Sequence, residues 1–220
     1  MIGVALLSFL AGFSGAIVPG PLFALTINQA LLSGWSAGLW LITGHMLSEL
    51  SLVLLLRFGL GELLKRPRVT RVIALVGGLV LLYFAWDMMQ TARLGIQVTG
   101  NAGVTTALSI PMLIGRGFLL TIVNPYWYLW WATAGVGLIA AQVEKYGAHA
   151  WSAFYIGHSL ADYVWYLGVS LLIAGVGAFL TPTVHRGLIF VCGCGIALLG
   201  LLFLLHPVRE WWKGRQATAS

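Results

Sequence analysis

Apolar residues follow one another along this chain in long blocks, without the strict alternation of strands or the single stripe of a surface helix. A helix needs about 20 predominantly apolar residues to cross the hydrocarbon of a bilayer. Runs of that length recur from one end to the other with short polar breaks between them. They predict an all-α integral membrane protein with six helices, at about 4 to 32, 35 to 58, 69 to 92, 113 to 141, 149 to 179 and 185 to 206. The breaks are a basic loop with Lys65, Arg66, Arg68 and Arg71, a polar linker from Arg93 to Pro111, and a tail with Arg209, Lys213 and Arg215. No room is left for a soluble domain, so residues 1–220 are expected to form one transmembrane domain. No signal peptide is expected, because the first apolar run lacks a basic leader and continues past the length of one.

The pattern repeats. Gly12-Phe13 followed by Ile17-Val18-Pro19 is echoed 105 residues later by Gly117-Phe118 followed by Ile122-Val123-Asn124. Gly44-His45-x-x-x-Glu49 is echoed at an offset of 113 by Gly157-His158-x-x-x-Asp162, and Pro67-x-Val69-x-Arg71 at 115 by Pro182-x-Val184-x-Arg186. The echoes rest on Pro, His, Phe, Arg and acids, which are scarce here, and they occur in the same order. They divide the chain into a first repeat over about 1–92, a linker over 93–112, a second repeat over about 113–206 and a cytoplasmic tail over 207–220. Three helices per repeat force the halves into opposite orientations, the inverted architecture of many secondary transporters.

Helices one and four are interrupted at matching positions. Pro19-Gly20-Pro21 falls within the first, where each proline removes a backbone donor and clashes with the preceding turn. Pro19 would leave the Gly15 carbonyl without its partner, Pro21 that of Ile17, and Pro125 in the fourth helix that of Thr121. Asn124 suits the cap of the half-helix that follows. Paired interruptions in the two halves point to a solute site, with half-helix amides facing an anionic group and freed carbonyls facing a cation. Pro19, Gly20, Pro21, Asn124 and Pro125 are therefore expected to bind substrate. Trp127, in the aromatic run Tyr126-Trp127-Tyr128-Leu129-Trp130-Trp131, is a further candidate through cation–π contact with a ligand amine, although packing accounts for most of these rings.

The costliest residues in the apolar blocks are His45, Glu49, His158 and Asp162. A charged side chain at the bilayer centre costs roughly 2.5 to 3.5 kcal/mol on insertion scales, so intramembrane ionisable pairs mark function by default. Each pair is spaced i, i+4 and shares one helix face. Two chemistries fit: proton coupling by carboxylates that gain and lose protons during transport, or a two-His, two-carboxylate site for a divalent metal such as Zn²⁺. A purely structural polar staple between helices two and five is the third possibility. An intramembrane enzyme is not expected, because no nucleophile stands with these pairs in a recognisable motif; Ser48 and Ser159 adjoin them in sequence but face other ways.

Composition adds little to this picture. The chain is 60% hydrophobic and 8% charged, far from a soluble domain. Its net charge of +6 sits in loops and the tail and gives no sign of nucleic-acid binding. Of the 12 Lys and Arg residues, nine fall on the side of the N-terminus and three on the other, which places both termini in the cytoplasm by the positive-inside rule. Trp211 and Trp212 beside the terminal charges fit an interfacial anchor. Cys192 and Cys194, two apart on a helix, cannot bridge each other. Glycines 77, 78, 193, 195 and 200 suit close packing of the third and sixth helices, or of a dimer. No cofactor is implied.

Pro19-Gly20-Pro21 in the first helix, the Gly-rich second helix from Gly34, and Asn124-Pro125 opening the second half resemble the LysE family of exporters over the full length. Members of that family are small six-helix membrane proteins, many of which export amino acids such as lysine, arginine, homoserine and threonine. The resemblance implies efflux of a small solute across the cell (inner) membrane, driven by the proton gradient, often by a homodimer. The chain departs from the better-known amino-acid exporters, reading Gly44-His45 where they have Gly-Asp and Asn124-Pro125-Tyr126 where they have Asn-Pro-Lys. Its acids lie one turn later, at Glu49 and Asp162. The expected function is proton-coupled export of an amino acid or related amine, with divalent-metal transport by His45, Glu49, His158 and Asp162 as the alternative.

Overall fold

The computed structural model describes residues 1–64, 66–94, 107–176 and 181–217, and every regular element among them is helical. Helix α1 (Ile2–Ala16) and helix α2 (Pro21–Ser33) meet at a bend of 84°. Helix α3 (Ser36–Leu55) continues to a kink at Gly59, whose φ of 101° is left-handed, and then into the short α4 (Gly61–Leu64). Helix α5 spans Pro67–Leu94. Helix α6 (Ile110–Ile122) is separated by Val123 and Asn124 from α7 (Pro125–Trp130), which runs through a π-helical turn, Trp131–Gly135, into α8 (Val136–Tyr146). Helices α9 (His149–Val176) and α10 (Pro182–Ala217) complete the chain.

These elements lie in the six predicted regions, yet only three described helices are long and apolar enough to cross a membrane, or four if α1 and α2 count as one bent span. In the first and fourth regions the breaks are the reason. They leave α1, α2 and α6 with 15, 13 and 13 residues, below the span length of about 20. The final helix runs on through Pro207 to Ala217, beyond the predicted end at 206, because its polar continuation keeps Glu, Lys, Arg and Gln, all good helix formers. Most of the expected linker (95–106), Lys65 and residues 177–180 lie outside the described residues, as do the side chains of the Trp211–Trp212 anchor.

The helices pack in reciprocal pairs. The first helix of each half lies against the second long helix of the other: α1 on α9, and α6 on α3. Glycines permit the approach. A Cβ on Gly44 would run into the Ile114 carbonyl, one on Gly117 into that of Leu41, and one on Gly157 into that of Ala5. Small residues let backbones come this close, and in lipid such packing carries the association that water would otherwise drive. Helices α5 and α10 form the third pair, with Gly78 facing Gly200, so these glycines serve packing within the chain. The α1–α9 and α3–α6 pairs hold His158 with Asp162 and His45 with Glu49 on inward faces.

Candidate functional site

On α3 and α9 the i, i+4 spacing turns both histidine–acid pairs toward one point. Glu49, His158 and Asp162 are 1%, 3% and 4% exposed, so the groups meet inside the protein. Nε2 of His45 lies 3.5 Å from Glu49 Oε1 and 4.0 Å from Asp162 Oδ2. Nε2 of His158 lies 3.2 Å from Glu49 Oε1 and 3.7 Å from Asp162 Oδ2. Each imidazole thus bridges the two carboxyl groups, one on its own helix and one on the other.

Glu49 Oε1 is crowded with donors. The indole N–H of Trp127 donates to it at 3.0 Å and that of Trp131 at 3.2 Å, in addition to its contact with His158. An indole N–H only donates, so Oε1 serves as an acceptor and a proton arriving at this carboxyl must go to Oε2. Oε2 is buried without a hydrogen-bond partner, as is Asp162 Oδ2. Buried polar atoms are normally paired, so these two oxygens are exceptions within one site.

The orientation of His45 is fixed from outside the cluster. Thr121 donates its single hydroxyl proton to the Gly117 carbonyl at 2.7 Å, which leaves the hydroxyl oxygen to accept from His45 Nδ1, also at 2.7 Å. Nδ1 then carries a hydrogen, and Nε2, facing both acids, is the nitrogen that exchanges. His158 is held by rings instead: Trp130 lies 4.6 Å away and tilted, Trp131 5.3 Å away edge-on, and Phe154 is stacked at 6.3 Å.

The cluster opens on a cavity of about 50 Å³, lined by His45, Glu49, His158 and Asp162 together with the interruptions of both broken helices. Pro19, Gly20, Asn124 and Trp127 line it, whereas Pro21 and Pro125 do not; these two are buried as first residues of α2 and α7, where a missing N–H costs nothing. The two half-helices start differently. Asn124 caps α7, its Oδ1 accepting from Tyr126 N at 3.1 Å. Gly20 precedes α2 in an extended conformation with no side-chain cap, so the amides of Leu22 and Phe23 in its first turn have no capping side chain. The freed carbonyls expected to face a cation are in part already used. Val18 N donates to the Gly15 carbonyl at 3.3 Å and Asn124 N to that of Thr121 at 3.0 Å. Each helix ends at its break instead of continuing as a kink, and its last turn tightens onto the orphan carbonyl.

Three contributors were not singled out by sequence: Thr121, which anchors His45; Trp131, which shares Glu49 with Trp127; and Tyr166, a wall of the cavity. The i, i+4 spacing of Trp127 and Trp131 was a usable signal for the second. For Thr121 and Tyr166 the sequence offers none, since each acts across a contact between helices far apart in the chain.

A family model described as LysE type translocator matches residues 13–206. The chain belongs to the LysE type translocators. It is also 23% identical over 201 residues, covering 90% of this chain and 94% of the relative, to a Bacillus subtilis (strain 168) protein named "Putative amino acid efflux protein YcgF". No solved structure matches the chain. Family and apolar helices together make this translocator a multi-pass membrane protein with a role in transport.

Proposed function

We propose that this translocator exports a small amine-bearing solute, an amino acid foremost, in exchange for protons. The observation that carries the reading is the pair of carboxyl oxygens without a hydrogen bond, Glu49 Oε2 and Asp162 Oδ2, the second facing both imidazoles, buried in one cavity beside the uncapped start of α2. An ammonium group takes the two carboxyl oxygens, and the carboxylate of the solute takes the amides following Gly20, where the helix dipole favours an anion. Protons delivered to the same oxygens expel the ammonium group, so solute and proton compete for one site. His45 and His158 accept and return those protons. The name of the Bacillus subtilis relative supports an amino acid as solute.

The cavity holds about three or four water molecules, fewer than the non-hydrogen atoms of the smallest amino acid, so the helices around it must move to admit one. The reciprocal helix pairs support two inverted three-helix repeats that rock about this point. In the same proposal both termini lie in the cytoplasm and the protein in the inner membrane, as a homodimer without enzymatic activity.

Ligand atoms of His45, Glu49 and Asp162 lie within 4.8 Å of one another, which favours divalent-metal transport as a second reading. The two indole N–H groups aimed at Glu49 Oε1 weigh against it, since they leave a metal only the other oxygen of that carboxylate. Efflux from proteoliposomes with an imposed pH gradient separates the readings, using a panel of amino acids, simple amines and Zn²⁺. Glu49→Gln and Asp162→Asn are each expected to abolish gradient-driven amine efflux. Wild-type rates in both variants would remove the coupling role, and transport of Zn²⁺ alone would replace the substrate.

A further inference from the structure

A second space, of about 400 Å³, lies on the N-terminal side of the cluster, where the kinked end of α3 at Gly59 faces α8. Leu56, Val136, Ile139 and Trp151 line it, and the exposed Glu62 and Glu144 stand at its rim. Lys145, next in sequence, is turned onto the ring of Tyr146 at 5.0 Å.

The two spaces are separated by a single apolar layer. Along α3 the inward face reads Glu49 in the central cavity, then Leu52 and Val53, then Leu56 in the outer space. Along α7 and the turn after it, the order is Trp127, Trp131, Val136. Along α9 it is His158, Phe154, Trp151. From Glu49 to Leu56 is seven residues, about 10 Å of helix. The layer is therefore Leu52, Val53, Trp131 and Phe154, with Trp131 fully buried among them. Two indoles, Trp127 and Trp131, are tied by their N–H groups to Glu49, the residue that solute and protons must address. Trp131 also begins the π-helical turn that ends at Gly135, and a Cβ on Gly135 would strike its ring. π-helical turns inside α-helices recur at functional sites.

We infer that the outer space is the vestibule through which solute passes between the N-terminal face and the central cavity, and that Trp131 is its gate, latched shut by Glu49, which Trp127 holds in position from the cavity side. The inference rests on the transport reading of the cluster. When an ammonium group or a proton engages Glu49, the carboxyl becomes a poorer acceptor for the indoles and the layer loosens on the vestibule side. The latch thus links occupancy of the central site to opening toward one face. The rim acids suit an approaching amine.

Thiol labelling tests the gate without any knowledge of the solute. In a background with Cys192→Ala and Cys194→Ala, a cysteine is placed at Ala16, which lines the central cavity. Membrane-impermeant methanethiosulfonate ethyltrimethylammonium is then applied to one face at a time in vesicles of known orientation. Labelling from the N-terminal face is expected to be slow with both indoles intact. It should rise about tenfold in Trp127→Phe or Trp131→Phe, which keep a ring but lose one charge-assisted bond each. Gly135→Ala, which displaces the Trp131 ring without removing its N–H, should raise it as well. Val136→Trp, which fills the vestibule, should suppress the gain. Trp130→Phe is the control, because the Trp130 N–H donates to Ser14 Oγ at 3.0 Å and not to Glu49.

Equal acceleration by Trp130→Phe, acceleration only from the opposite face, or no acceleration in any of the three gate variants overturns the inference. Should Trp131→Phe fail to fold, Trp127→Phe and Gly135→Ala decide it alone. If no amine is transported but the labelling pattern holds, the gate stands and the substrate assignment falls; the reverse result removes the gate only.

Discussion

Glu49 is the residue on which the most interactions converge, and its two oxygens have different tasks. Oε1 gathers the donors of Trp127, Trp131 and His158, while Oε2 is left open. Around it, Thr121 decides which nitrogen of His45 can exchange a proton. Thr121→Val keeps the shape of the side chain and removes the acceptor for His45 Nδ1. We expect it to lower thermal stability in detergent by about 1 kcal/mol, the usual scale of an interhelical hydrogen bond in a membrane protein. It should also cut gradient-driven efflux, with Thr121→Ser restoring it; efflux at the wild-type rate in the valine variant would show that the anchor has no part in transport.

At the scale of elements, two features hold the site in place: the helix starts at the breaks and the glycine contacts that bring helix pairs together. Asn124→Ala removes the side-chain cap of α7 and is expected to cost about 1 kcal/mol, read by thermal unfolding in detergent. Gly44→Ala should cost about 1 to 3 kcal/mol, because the added methyl meets the backbone of α6 and neither helix can yield without a shift. Gly115→Ala on α6, where an added Cβ meets nothing within 4 Å, provides the contrast and should be neutral or gain up to about 1 kcal/mol from helix propensity. Equal losses at both positions would mean that the close approach of α3 and α6 does not set their stability.

For the whole molecule, the prediction is topological. Reporters fused at the two termini should both read as cytoplasmic, and a tag within 95–106 should be accessible from the opposite face; a split result for the termini would remove the inverted arrangement of the halves. The broken helices explain why the first and fourth regions do not count as single spans by length. Two of the regions are cut into pieces that are individually too short, and the cuts are where the site lies.

Much of this was legible in the amino-acid sequence. The helical regions followed from apolar length, the interruptions from proline's missing donor, and the His–acid pairs from the cost of ionisable groups in lipid. Even the presence of one helix face bearing both His45 and Glu49 is a matter of spacing alone. What the sequence could not decide depended on contacts between segments far apart in the chain. Whether His45 and His158 share their acids, which Glu49 oxygen stays open, and that Trp131 closes the layer beneath the site are all set by α3, α7 and α9 meeting. The same holds for the carbonyls expected to await a cation. Proline announces that a carbonyl loses its helical partner, but only the folded backbone shows that the amides of Val18 and Asn124 take up those of Gly15 and Thr121. Local chemistry fixed the elements, because the bilayer penalises each unpaired group where it stands; the site arose from their mutual placement, which glycine contacts at Gly44, Gly117 and Gly157 determine.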